Sequence, residues 1–406
     1  ASRLGGSRSG GGGGAGVSSS ESWAYLSRTI EGPSAHLQAL LRAGRDADEI
    51  ARGVQSRASW LGKLAGQTEA RYQTNRAAAD LEEAQRLGYE LLTPDSPTWP
   101  AAAINSSFGT MESVSADAEC PPHALWVKGA KDLPSLFEQS VGVVGTRAAT
   151  AYGHQVTADL VSGLGKRRYT IVSGGAVGID TVAHDAALAA ATPSVVIAAC
   201  GPGVIYPRRN ERLFDRVVSH GGSLISEYPP GVTPDRHRFL TRNRLIAAFS
   251  SGTLVVEAAF RSGALNTLKW ANAFGRQTMA VPGSITSQES LGTNLAIVNG
   301  QADMVLNADH IHELLSKVGE VDSQLELEFA HAPSPLQTLS HNELRVYDSL
   351  PPVGAAGREA EQVAEVAGLS IGLTVHLLME LQKRQLVGRE GRVWRRLDLT
   401  AEGGGT

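Results

Sequence analysis

The chain has 406 residues, 42% of them hydrophobic and 19% charged, and a net charge of -4, which describes an ordinary soluble protein with room for a large core and two or three domains. Two cysteines, Cys120 and Cys200, are too few for a disulfide framework or a four-ligand zinc site, as in a reducing cytosol. No apolar run approaches the ~18 residues of a membrane span and the Gly/Ser-rich start lacks an apolar signal region, so a cytoplasmic protein without membrane contact is expected.

Residues 1–20, with Gly10 to Gly14 unbroken, cannot bury a core and are expected to be a disordered tail. Residues 21–93 are alanine-rich with helical spacing: Leu37, Leu40 and Leu41 share a face, as do Ile50 and Val54. A small helical domain is predicted there, closed by the turn residues of Thr93 to Pro100. Across 94–318 short β-type runs alternate with amphipathic helices: Val141 to Val144, Thr170 to Val172, Ser194 to Ala199, Ser223 to Ile225, Thr253 to Val256 and Thr278 to Val281. Near-continuous apolar strands separated by helices predict a Rossmann-like, doubly wound, mostly parallel sheet covered on both faces. Residues 319–337 read as an acidic, Pro-punctuated linker. In 338–399 three helices (Glu343 to Leu350, Ala360 to Ala367, Ile371 to Gln385) precede a hairpin turning at Glu390-Gly391, the pattern of a winged helix, and 400–406 is a second disordered tail.

In a doubly wound sheet ligands bind beyond the carboxyl ends of the strands. Those ends carry Gly145-Thr146-Arg147, Ser173-Gly174-Gly175 and Cys200-Gly201-Pro202-Gly203, and the fourth, Ser226-Glu227-Tyr228, leads to Arg236-His237-Arg238-Phe239-Leu240-Thr241-Arg242-Asn243-Arg244. Glycines permit close backbone approach, arginine forks match phosphate oxygens, and a phenylalanine offers a face to a base. Together they point to nucleic acid; the plainer alternative is a solvated basic loop.

Other chemistries find less support. No Gly-x-Gly-x-x-Gly follows the first strand, and Gly165-Lys166 is followed by Arg167 where a P-loop needs Ser or Thr. Ser173 sits in no nucleophile elbow, and serves either to hold a phosphate or to open a helix. Asp180 and His184, four apart, read as a helix start rather than a metal site, so neither metal nor cofactor is expected. Glu257 could act as a base in a nucleotide hydrolase, or orient Arg242 or Arg244; the second reading is preferred. Near the C-terminus Lys383, Arg384, Arg389, Arg392, Arg395 and Arg396 face only Glu390 between 381 and 397, so the third helix and wing offer a second DNA contact unless they are simply a solvated face.

From about Pro94 to Val305 the order of motifs resembles the DprA/Smf family of DNA-processing proteins: Val144-Gly145-Thr146-Arg147 with Tyr152-Gly153, Ser173 through Asp180 with Ala183-His184, Tyr206-Pro207, Ser226 through Pro229, Phe239 through Arg244, Glu257-Ala258 with Ser262-Gly263, and Val281-Pro282-Gly283 with Gly292-Thr293-Asn294. The resemblance implies an extended Rossmann domain that binds single-stranded DNA, protects incoming strands during natural transformation and helps load the RecA recombinase. It also implies a homodimer without an enzymatic step. Carried over by position, Gly145, Thr146 and Arg147 match the family's first loop, with Thr146 where serine is common. Ser173, Gly174 and Gly175 match its phosphate-cradling loop, Phe239, Arg242, Asn243 and Arg244 its Phe-x-x-Arg-Asn-Arg segment, and Arg236 a basic position in its DNA groove. The helical N-terminal part resembles that family's sterile-alpha-motif-like domain loosely, and residues 338–399 its winged-helix extension. Two rival classes are a phosphoribohydrolase-like enzyme on the same fold, whose Pro-Gly-Gly-x-Gly-Thr-x-x-Glu signature is only partly met by Phe249 through Glu257, and a transcription regulator using the winged helix.

Overall fold

Alternation of apolar strands with amphipathic helices builds one nine-stranded sheet. The computed structural model describes residues 19–111, 116–316, 335–336 and 338–398, so all but the last two residues of the expected tail at 1–20, the tail at 400–406 and nearly all of the 319–337 linker lie outside the described residues. The chain divides into two compact units, Ala1–Val321 and Asp322–Thr406.

In the first unit the strands are β1 Tyr89–Leu92, β2 Leu125–Gly129, β3 Ser140–Val144, β4 Thr170–Ser173, β5 Ser194–Ala198, β6 Ser223–Ser226, β7 Gly252–Val255, β8 Gln277–Ala280 and β9 Asp303–Met304. Their spatial order is β1-β2-β6-β5-β4-β3-β7-β8-β9, parallel from β6 to β9, with β1 and β2 added antiparallel on one side. The six predicted runs are the parallel strands β3 to β8. Strand order reverses between β3 and β7, which places the switch point at the carboxyl ends of those two strands. Burial is two-sided, as parallel strands require. Val141, Val143 and Leu254 face a core with Leu160, Leu164 and Ile179, whereas Val144, Val172 and Ile197 face one with Leu245 through Phe249.

Helices Ser20–Ile30, Ala35–Arg42, Ala47–Ser56, Lys63–Gln67 and Ala77–Arg86 form the N-terminal layer. Ser19 and Ser20, counted in sequence with the tail, instead cap and open its first helix: the Ser19 hydroxyl accepts from the Ser22 N–H. Trp23, Tyr25, Leu26, Leu37, Ile50 and Leu64 share a core with Trp126 of β2, whose Nε1 donates to Ser27 Oγ at 3.1 Å. This layer therefore rests on the antiparallel strands, and the short β1, β2 and β9 are what sequence periodicity passed over.

In the second unit helices His341–Asp348, Ala360–Ala367 and Ile371–Lys383 pack with a three-stranded sheet, order β10-β12-β11, of β10 Arg358–Glu359, β11 Val387–Glu390 and β12 Val393–Arg396. Val346, Val363, Leu378, Leu381 and Trp394 form its core, giving the winged-helix arrangement.

Candidate nucleic-acid interface

The arginine-rich segment is helical from Arg236 to Ala248, capped by Asp235, whose carboxylate accepts from the His237 N–H at 2.7 Å. It starts at the surface and runs into the core, which sorts its arginines by depth rather than leaving them on one solvated loop. Arg236 is exposed and Phe239 half-buried. Arg238 donates to Thr233 O at 2.7 Å and pairs with Glu31 at 3.0 Å, fastening the helix to the N-terminal layer. Arg242, Asn243 and Arg244 are buried.

Arg242 and Arg244 have structural partners. Arg242 Nη1 donates to Gly174 O at 2.6 Å and to Ile197 O at 2.5 Å, joining the ends of β4 and β5. Burial pushes its pKa below the usual arginine range, the Asp180 carboxylate opposing that. Asp180 is in turn raised by burial, with Arg242 and the Ala176 and Gly174 N–H groups pulling the other way. Arg244 is fully buried; its Nη2 donates to Glu227 Oε1 at 2.6 Å and its guanidinium lies 5.3 Å from the Phe108 ring. Counting Arg244 as a surface DNA contact is therefore corrected: it anchors the helix. Asn243 Nδ2 donates to Gly263 O at 3.3 Å and Asn266 Oδ1 at 3.2 Å, binding the helix to Gly263–Ala273.

The glycine loops also differ from expectation. Ser173 Oγ donates to Val143 O at 2.6 Å, tying β4 to β3 rather than facing a ligand. A Cβ at Gly174 would overlap the Arg242 guanidinium, at Gly145 the Ile179 side chain, and at Gly178 the backbone of Thr146 and Arg147. Gly175 adopts φ +69°, a left-handed backbone suited to glycine. The close approach these glycines allow is of loop to loop. Thr146 completes the interlock: its N–H donates to Glu257 O at 2.7 Å and its hydroxyl accepts from the Ala148 N–H.

What remains at the surface is a cleft of about 520 Å³ between the β3 and β4 loops, helix Arg236–Ala248 and the start of helix Gly263–Ala273. Exposed Arg147 stands over it, its guanidinium 5.2 Å from the Phe239 ring centroid. Tyr206, 44% exposed, tilts toward the same ring with centroids 5.2 Å apart. Exposed Arg208 and Arg209 follow, and the next residue, Asn210, donates to Gly175 O at 3.0 Å and fixes that turn to the β4 loop. Tyr206, Arg208 and Arg209 were not singled out as site residues in the sequence, although Tyr206-Pro207-Arg208-Arg209 pairs a ring with two cations just beyond a predicted strand.

Glu257 orients neither arginine. Its carboxylate accepts from the Thr150 N–H at 3.0 Å and hydroxyl at 2.5 Å, holding the start of helix Ala151–Lys166. His184 is buried with Nδ1 2.7 Å from Ser194 Oγ, and burial lowers its pKa to about 3. Among the described residues no group of three or more His, Cys, Asp and Glu could hold a metal ion, and no single helix is long and apolar enough to cross a membrane.

On the winged helix, four of the six cations are paired. Lys383 meets Glu380 at 2.7 Å, Arg384 Glu343 at 3.6 Å, Arg395 Glu390 at 3.2 Å and Arg396 Asp348 at 3.6 Å. The local excess counted along the sequence is therefore smaller in space, because Glu343 and Asp348 come from the first helix and Glu380 lies one residue outside the counted window. Arg389 stacks 5.3 Å from the Trp394 ring, and Arg392 is exposed near the hairpin turn. The outer stripe of helix Ile371–Lys383 carries Gly372, His376 and Met379, flanked by exposed Ile371 and Leu373.

The family model for DNA recombination-mediator protein A matches residues 90–316. A DprA protein of Mycobacterium tuberculosis is 42% identical over 383 residues, covering 92% of this chain and 93% of that protein. The DNA processing protein DprA of Bacillus subtilis is 37% identical over 195 residues, 48% of this chain and 65% of that protein. Among solved structures, DNA processing protein A of Streptococcus pneumoniae superposes with a TM-score of 0.58 at 28% identity, over 72% of this chain and 97% of that one.

Proposed function

This chain belongs to the DNA recombination-mediator protein A family, and from that premise we propose that it binds single-stranded DNA along the cleft edged by Arg147 and Phe239, protects incoming strands in natural transformation, and passes them to the RecA recombinase as a homodimer. One observation carries the DNA reading: a half-buried phenylalanine ring with an exposed guanidinium 5.2 Å from its centroid, at the carboxyl end of a parallel sheet. A ring of this kind stacks an unpaired base, whereas a base within a duplex is already stacked on both sides. Arg147, Arg236, Arg208 and Arg209 supply the phosphate contacts from the rim. Arg242, Asn243, Gly145, Thr146, Ser173, Gly174 and Gly175 hold the floor and loops in place, and Arg244 locks the helix from below.

The rival enzymatic reading needs Glu257 as a base, and both its carboxylate oxygens are taken up by Thr150. The homodimer is supported by exposed apolar side chains at the edge strand β9, Met304 (43%) on it and Leu306 (54%) just after it, which suit a second copy. A mediator also requires a recombinase to receive the strand, the part assigned to RecA. In the C-terminal unit, the second DNA contact narrows to Arg389 and Arg392 on the wing.

Titration of labelled single strands against the matching duplex, across a salt series, tests this reading. With about four phosphates neutralised, the log–log slope for single strands should be roughly -3, and the duplex should bind more weakly. Equal affinity for both, or a flat salt response, refutes it.

A further inference from the structure

Strand order places the β3 loop between the β4 and β7 loops. The loop after β7 carries Phe260, 59% exposed, followed by exposed Arg261, whose guanidinium lies 6.0 Å from the Phe260 ring centroid. A phenylalanine so exposed costs solvation free energy, and its backbone is well fixed. The Gly292 N–H donates to Ala258 O at 2.7 Å on one side and the Ser262 N–H to Ala259 O at 3.0 Å on the other. The adjoining Ser262, Gly263 and Ala264 line the cleft over which Arg147 stands.

We propose that a DNA strand seated at Phe239 continues across the switch point onto a second ring-and-cation station, Phe260 with Arg261. The inference rests on the reading of the cleft as the single-strand site. Along the carboxyl edge the loops run β5 (Tyr206), β4, β3 (Arg147), β7 (Phe260 and Arg261). Three strand spacings of about 4.8 Å separate the first from the last, roughly 14 Å, which is a path for several nucleotides rather than one. Both stations present the same chemistry, a phenyl face for a base beside a guanidinium for its phosphate. Arg147 lies between them, so the strand stays in contact with positive charge throughout.

The test compares oligothymidylates of about five and about fifteen nucleotides, titrated against wild type, Phe260→Ala/Arg261→Ala and Arg147→Ala. Phe260 and Arg261 are exposed, and circular dichroism and size exclusion check that the double variant keeps its fold and oligomeric state. The double variant should bind the short oligomer as wild type does and the long one roughly tenfold or more weakly. Phe260→Trp with Arg261 retained should restore the long-strand affinity. Long-strand binding unchanged in the double variant, while Arg147→Ala weakens both lengths, would overturn the second station and leave the cleft reading standing. Equal loss on both lengths would show one station, not two. A changed oligomeric state with unchanged DNA binding would assign Phe260 to a protein contact. If Arg147→Ala weakens neither length, the cleft reading fails and this inference with it.

Discussion

Replacing Glu227 by Gln should destabilise the first unit by about 3–5 kcal/mol, the typical loss when one member of a buried ion pair is removed. Both side chains are essentially inaccessible, at 0% exposure for Arg244 and 1% for Glu227, and the pair closes at 2.6 Å. Among the described residues Arg244 Nε and Nη1 have no hydrogen-bond partner, so nothing nearby takes over the lost counter-charge. His123, buried with both ring nitrogens unpartnered, offers no negative charge either; burial and the Arg244 charge lower its pKa to about 4. Denaturant unfolding at neutral pH measures the effect as a fall in the midpoint at constant slope. Removing both charges together, Glu227→Leu with Arg244→Met, should recover much of the loss, since no charge is then left uncompensated in the core. A cost below about 1 kcal/mol for Glu227→Gln would refute the argument. Burial already raises the Glu227 pKa against the pull of Arg244, and such a result would mean that the carboxyl is neutral in the native protein.

Arg147→Ala should weaken single-strand binding and reduce the log–log salt slope by about 0.7, one phosphate contact, whereas Phe239→Ala should cost about 1–3 kcal/mol per stacked base with little change in slope. Identical salt behaviour in the two variants would remove the division between phosphate and base contacts. Because burial and the nearby Arg242 charge hold His184 at a pKa of about 3, the unfolded chain takes up its proton first as pH falls below ~6.5. The stability attached to a neutral His184 is complete above that pH, and about 2 kcal/mol of it is lost by pH 5. His184→Gln should lack this component when unfolding is followed at pH 7 and pH 5; an identical pH dependence in wild type and variant would show that the ring ionises freely. Gly174→Ala forces the Arg242 guanidinium away from Gly174 O and Ile197 O and should cost about 1–3 kcal/mol, visible in the denaturant midpoint. A wild-type midpoint would show slack in that loop.

Six of the parallel strands were legible because each is a short, near-continuous apolar run bounded by turn residues, as in Val141 to Val144. Tyr89–Leu92 and Leu125–Gly129 were not, since Glu90 and Lys128 interrupt their apolar runs and their identity as strands comes from antiparallel pairing with each other and with β6. The arginine cluster was legible as a place and not as an arrangement. Charge density shows along the chain, but whether Arg244 faces water or Glu227 depends on where the helix enters the core, and Glu227 is separated from it by 17 positions. For the same reason Glu257 was assigned to the arginines: its true partner, Thr150, lies 107 residues away on the adjacent strand's loop. The ring and cations of Tyr206 to Arg209 show in the sequence, but their place beside Phe239 follows only from the way the β5 loop folds back.

The glycine interlock has a thermodynamic consequence of its own. With Gly145 against Ile179, Gly178 against Thr146 and Arg147, and Gly174 against Arg242, the loops after β3 and β4 behave as a single solid rather than two independent arms. Substitutions at Gly145 and Gly178 press on one seam, where residues 145–147 meet residues 178–179, so their effects on stability should not add. A platform that is rigid before its ligand arrives also leaves the loss of conformational freedom on association almost wholly to the DNA. Variation in affinity among polythymidine, polyadenine and mixed strands would then report how stiff each free strand is, and only secondarily which bases it carries.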